Sequence, residues 1–257
     1  MRKFLMYRIL TFTLAAVLFI SIAALIYQFY QYDEAEKSYQ YAAKLANIYL
    51  PQSSTFSQNN TLFSTAPCSP STDDANITVN NPTKTTNEYQ TALNNMDFRA
   101  LHEINPDVIG WISIPDTNLS YPLLQTGDNK YYLSHTWDKK YNSVGAIFID
   151  YRNSTNFSDQ NTIIYGHRVN NNSMFGILHK YTDQTFLAAH PTIYITTESG
   201  TLTIDIFAAY EIEITSVYQI TTSDTPASCN RIVTLLTCTK DSDDTKRFIV
   251  QGVIRQL

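Results

Sequence analysis

The stretch TLTIDIFAAYEIEIT, residues 201–215, decides how the rest of the chain is read. Ile204, Ile206, Ala208, Tyr210, Ile212 and Ile214 recur at every second place, with Asp205, Glu211 and Glu213 between them. A period of two belongs to an extended strand, whose side chains alternate between two faces. The pattern therefore predicts a long strand with all six apolar residues on a core face and the acids in water. A helix would need apolar residues three and four apart.

The same texture continues on both sides of this strand. VIGWISI (108–114), LSYPLLQ (119–125), GAIFID (145–150), NTIIYG (161–166), TIYITT (192–197), RIVTLLT (231–237) and RFIVQGVI (247–254) are short runs rich in β-branched and aromatic residues, bounded by turn formers. Short helical pieces are expected in DFRALHEI (97–104), NKYYLSH (129–135), SMFGILHKY (173–181) and DQTFLAAH (183–190), the last stopped by Pro191. Eight strands at regular spacing with few helices predict a mostly β domain over residues 96–257, closed or nearly closed into a barrel.

Ahead of this domain the chain changes character twice. ILTFTLAAVLFISIAALIY (9–27) carries no charge and has the length of about 20 residues that a helix needs to cross a hydrocarbon core. Arg2, Lys3 and Arg8 precede it and Asp33 and Glu34 follow it, so the positive-inside rule places the N-terminus in the cytoplasm and the remainder outside the cell. The stretch is longer than the apolar region of a cleaved signal and lacks a small-residue cleavage site, which favours a retained anchor. Residues 33–50 contain helix formers with a partial heptad-like pattern (Ala35, Tyr39, Ala42, Ala43, Leu45, Ala46) and predict a helical stalk ending at Pro51. Between Gln52 and Asn87 nearly every residue is Ser, Thr, Asn, Gln, Asp or Pro, a composition that cannot bury enough apolar surface to fold and reads as a flexible spacer. The expected divisions are residues 1–30 for the cytoplasmic tip and anchor, 31–95 for stalk and spacer, and 96–257 for the barrel.

Several functions are excluded by composition. A net charge of -5 with 16% charged residues and no long basic run leaves no nucleic-acid footprint. The three cysteines, Cys68, Cys229 and Cys238, have the wrong parity for a disulfide framework, so at least one thiol is left over. The scattered histidines and the absence of CxxC or HExxH spacing predict no metal site, and no cofactor motif is present. Asp241, Asp243 and Asp244 lack the glycine and bidentate glutamate of a calcium loop and read as a solvated acidic loop.

The left-over thiols differ in setting. Cys68 lies in the spacer with no pocket around it, whereas Cys238 ends the apolar run RIVTLLT, at a strand-to-loop edge. Free cysteine is more often a small buried residue than a reactive one, so its neighbours have to decide. His167 ends the run NTIIYGH, and Arg247 opens the last strand nine positions after Cys238, enough for a hairpin that returns it beside the thiol. Each alone reads as an ordinary strand-end residue. Together they are the nucleophile, proton carrier and fixed positive charge that thiol acyl transfer needs. A wall-directed cysteine peptidase and a catalytically inactive, membrane-tethered binding domain are the competing readings.

The runs NPDVIGWISIP, YPLLQ, DNKYYL, GAIFIDYRN, NTIIYGH, SMFGILHKY, TLLTC and RFIV, in this order, resemble the sortase family and its class B in particular, over residues 97–257. The resemblance implies an eight-stranded barrel with Cys238 as nucleophile, His167 as proton-transfer partner and Arg247 as stabilising arginine. Thr237, Tyr165 and Asn129 are the further expected substrate contacts. It also implies an enzyme that cleaves a sorting motif near the C-terminus of a secreted protein through a thioester. The new carboxyl end is then joined to a cell-wall amine carried by peptidoglycan or its lipid-linked precursor. One departure stands out. Class B members carry a long helical insertion between strands six and seven, where this chain has only the short connection Gln219–Asn230, so a more open groove is expected. Cys229 lies in that connection, and a bridge to Cys238 is not expected, since the nucleophile would have to leave its cleft.

Overall fold

The computed structural model describes residues 2–48, 89–214, 231–238 and 245–255, and of Cys238 it describes the backbone. The spacer, Cys68, the connection Gln219–Asn230 with Cys229, and the acidic loop Asp241–Asp244 lie outside the described residues. Eight strands are present among those described: β1 (Val108–Ser113), β2 (Ser120–Leu124), β3 (Ile147–Ile149), β4 (Asn161–Tyr165), β5 (Thr192–Thr197), β6 (Gly200–Glu213), β7 (Ile232–Cys238) and β8 (Lys246–Ile254). They close into a barrel in the order β1-β2-β3-β4-β7-β8-β6-β5, as the strand count predicted. Closure leaves no open sheet edge, and the buried side chains of the core include Trp111, Phe148, Phe175 and Phe248.

β7 lies at the centre of the functional half. It runs parallel to β4 and antiparallel to β8, and Ile232, Val233, Leu235 and Leu236 are all buried, which accounts for its nearly continuous apolar run. The helices are α1 (Arg2–Leu45), α2 (89–94), α3 (Arg99–Ile104) and α4 (Gln184–Ala189), with 3-10 turns at Tyr131–Leu133 and Phe175–Thr182. α4 is capped by Asp183, whose carboxylate accepts a hydrogen bond from the Thr185 N–H.

The long strand departs from its sequence pattern. Pairing with β8 runs from Ile204↔Ile254 to Ile206↔Gly252 and resumes at Ala208↔Gln251, leaving Phe207 as an extra residue. Such a bulge reverses the alternation beyond it. Ile204, Ile206 and Ala209 accordingly pack with the barrel core, while Tyr210 and Ile212 join a separate cluster with Leu236 and Ile249. The expectation of one apolar face from Ile204 to Ile214 therefore fails at Phe207, because strict alternation presumes an unbroken ladder.

α1 is a single helix of 44 residues. Its side chains from Met6 to Tyr30 are exposed, and from Gln31 onward one stripe is buried against the barrel: Gln31, Ala35, Tyr39, Ala42 and Ala46. The stalk pattern is thus a packing stripe at helical spacing. Asn142 Nδ2 donates to the Gln31 carbonyl (2.9 Å), Trp137 Nε1 to the Ser38 carbonyl (2.9 Å) and the Tyr39 hydroxyl to the Gly145 carbonyl (2.5 Å). The Asp97 N–H donates to the Ala46 carbonyl at 3.3 Å, so the chain on either side of residues 49–88 belongs to one body.

Candidate active site

The geometry of the site begins with strand register. β4 and β7 pair from Asn161↔Ile232 to Tyr165↔Leu236, and the Gly166 N–H extends the ladder by donating to the Leu236 carbonyl at 3.2 Å. One step further in the same register brings His167 level with Cys238. On the other side of β7, Cys238 pairs directly with Arg247. His167, Cys238 and Arg247 therefore form one row across the ends of β4, β7 and β8. Residues directly opposite in an antiparallel pair are neighbours on one face of the sheet.

His167 is held by its surroundings. Its Nε2–H donates to the Leu133 carbonyl at 2.7 Å, and its own carbonyl accepts from the Phe175 N–H at 3.0 Å. A carbonyl can only accept, so the proton of the neutral ring sits on Nε2 and Nδ1 keeps its lone pair for a reacting group. Gly145 makes this placement possible. It has φ +63°, and a Cβ there would stand 2.6 Å from the Tyr132 carbonyl oxygen and 2.9 Å from His167 Cδ2. Arg247, partly buried, donates from Nη1 to the Lys246 carbonyl at 2.7 Å.

Below the row, the outward face of the sheet is apolar. Leu236 and the fully buried Ile249 form a small cluster with Ile163, Tyr165, Tyr210 and Ile212, contributed by β4, β6, β7 and β8. An open cleft of about 530 Å³ lies beside it, lined by Arg168, Asn170, His179, Tyr210 and Glu211 among others. A larger hollow of about 750 Å³ between Asp97–Arg99 and the β5–β6 turn has none of the row's residues in its lining. No group of His, Cys, Asp and Glu among the described residues is arranged to hold a metal.

A profile of the sortase domain matches residues 112–255. The chain belongs to the sortase family. Sortase B of Listeria monocytogenes is 38% identical over 179 residues, covering 61% of this chain and 73% of that protein. Among solved structures, the Staphylococcus aureus sortase B–substrate complex superposes with a TM-score of 0.55 at 32% identity, covering 62% of this chain and 85% of that one. Sortase B of Clostridium perfringens superposes with a TM-score of 0.56 at 27% identity, covering 62% and 100%. The chain is a class B sortase, a cysteine transpeptidase of the kind that anchors proteins to the cell wall.

The sortase barrel treats the three further expected contacts unequally. Tyr165 and Asn129 converge on one buried carboxylate: Asp150 Oδ2 accepts from the Tyr165 hydroxyl and from Asn129 Nδ2, both at 2.9 Å. Arg152 completes the group, with Nε on Oδ1 (2.8 Å) and Nη2 on Oδ2 (2.7 Å). Burial pushes the Asp150 carboxyl up, but the hydrogen bonds from Arg152, Tyr165 and Asn129 outweigh it and hold the group well below the usual carboxylate range. Thr237 is different. Strand alternation sets it beside Val233 and Leu235, its side chain is 2% exposed, and its hydroxyl has no partner among the described residues. Its hydroxyl is thus buried on the core face of β7.

Asp150, the buried carboxylate that ties Tyr165 to Asn129, is the residue of this group that sequence reasoning overlooked. Its signal was present as an acid directly after the buried strand Ile147–Ile149 and two residues before an arginine, but charge at a strand end is usually solvated, and only the fold buries it.

Proposed function

We propose that Cys238 is the nucleophile of this sortase, His167 its proton carrier and Arg247 its electrostatic stabiliser. The observation that carries this reading is the row across β4, β7 and β8, anchored by the direct pairing of Cys238 with Arg247. The Cys238 thiol gives its proton to His167 Nδ1, the thiolate attacks the scissile carbonyl of a sorting motif and forms a C–S bond, and the negative oxygen of the tetrahedral intermediate is met by the Arg247 guanidinium. The C–N bond then breaks as the leaving amine takes a proton from His167, and a thioester remains. An incoming amine attacks the thioester, gives its proton to His167 and expels the thiolate, which takes that proton, so the protonation state is restored. Groove contacts come from Tyr165 and Asn129, both set by Asp150.

In this reading, residues 9–27 cross the membrane with the N-terminus inside, and the barrel works on the outer surface. The long, exposed, apolar first half of α1 supports an anchor. Secreted proteins bearing a C-terminal sorting motif are the substrates, and an amine of peptidoglycan or of its lipid-linked precursor is the acceptor. The test is cleavage of a fluorogenic sorting peptide by the barrel with increasing hydroxylamine or an oligoglycine amine. Transpeptidation gives a hydroxamate or amide product at the expense of acid, and loss of all turnover in C238A; turnover that continues in C238A overturns the assignment.

A further inference from the structure

The polar stretch 49–88 does not separate the anchor from the barrel, because α1 runs unbroken from the apolar segment into its docking contacts, and the chain on both sides of that stretch is packed in one body. The distance from membrane to barrel is therefore set by helix geometry. Tyr27 ends the apolar segment, and the first docked residue, Gln31, follows about 6 Å further along an axis rising 1.5 Å per residue. The interfacial layer on each side of the hydrocarbon is itself about 5–7 Å thick. A tilt of about 20° displaces a group about 10 Å off the axis by only about 3 Å. The part of the barrel level with Gln31 must lie within that layer.

The residues at this level suit it. Asn142 and Ser143 bond to Gln31, and Tyr141 beside them is 69% exposed. Uncharged amides and hydroxyls with one projecting tyrosine are the chemistry of a surface lying among phospholipid headgroups, where tyrosine is enriched. We propose that the barrel rests directly on the outer leaflet, with residues 141–143 in the headgroup layer and Tyr141 as an interfacial aromatic. The inference rests on the anchor reading of residues 9–27. Its consequence is a catalytic row at fixed height, since Tyr39 of α1 bonds the Gly145 carbonyl and Gly145 packs against His167.

The test uses the full chain reconstituted into phosphatidylglycerol–phosphatidylethanolamine vesicles containing a headgroup spin-labelled lipid. Two variants each add one tryptophan: Y141W at the proposed contact, and S199W in the β5–β6 turn, which borders the same hollow as Asp97 and so stands near the Ala46 end of α1. The buried Trp111 and Trp137 supply a common background that the unsubstituted protein subtracts. The emission added by Y141W is expected to fall by roughly half or more, and that added by S199W to stay nearly unchanged. Equal quenching of the two in protein that resists carbonate extraction overturns this inference and leaves the anchor standing. Release of the protein by carbonate overturns the anchor reading and this inference with it.

Discussion

Cys238 and Arg247 are directly paired residues of the β7–β8 ladder, and the next pairs down the same strands are Thr237↔Phe248 and Leu236↔Ile249. The arginine is thus carried to the thiol position by backbone hydrogen bonds rather than by a flexible loop, and preorganised charge of this kind is what a developing oxyanion needs. R247A is expected to lower kcat/KM for a sorting peptide by about 10²–10³, and R247K, which keeps the charge but loses the planar fork, by about 10-fold. Peptide cleavage together with thermal melting checks both, and parent-like activity in R247A would remove the arginine from the mechanism.

Gly145 and His167 are in close contact, and G145A tests whether that contact sets the imidazole. The added methyl meets backbone at 2.6 Å and the His167 ring at 2.9 Å, in a residue with φ +63°. The strained backbone alone costs about 1–3 kcal/mol. Activity is expected to fall by more than the melting temperature implies, with the kcat pH profile altered; an unchanged profile would show that the ring is not displaced.

Asp150 is expected to link acid stability to substrate binding. Its folded-state pKa lies below the ordinary carboxylate value, so its hydrogen bonds stabilise the protein above the unfolded-state pKa of about 4 and lose that contribution as pH falls below it toward the folded-state value. D150N is expected to flatten the dependence of melting temperature on pH below about pH 4. It is also expected to raise KM more than it lowers kcat, since it releases Tyr165 and Asn129 rather than the row itself. Melting curves from acid to neutral pH and peptide kinetics check the two halves separately.

The bulge at Phe207 is testable by deletion. Removing this residue restores strict alternation and transfers Tyr210 and Ile212 from the outer cluster to the interior face. Loss of cooperative unfolding, or a folded protein without activity, is expected. A deletion variant with parent-like melting and turnover would show that the outer cluster is dispensable.

Much of this molecule was legible in sequence because the relevant signals are local. The eight runs of β-branched and aromatic residues became the eight strands, and the spacing of Ala35, Tyr39, Ala42 and Ala46 became the docked face of a helix. The row residues were found as strand-end residues of the right chemical types. Asp150 was missed and the burial of the Thr237 hydroxyl was not foreseen for one reason: the burial of a polar side chain depends on what packs over it. Nothing in FIDYR or LLTC states that.

The sequence by itself determined the strand and helix periods, the uncharged apolar segment 9–27, and the presence of a thiol, an imidazole and a guanidinium at strand ends. These follow from neighbours within a few residues, where side-chain period and turn chemistry act. Only the tertiary structure decided that His167 comes level with Cys238, that the face of β6 changes at Phe207, and that α1 is fastened to the barrel from Gln31 onward. Register, closure and docking join segments far apart in the chain, and their energies come from packing that no single segment contains.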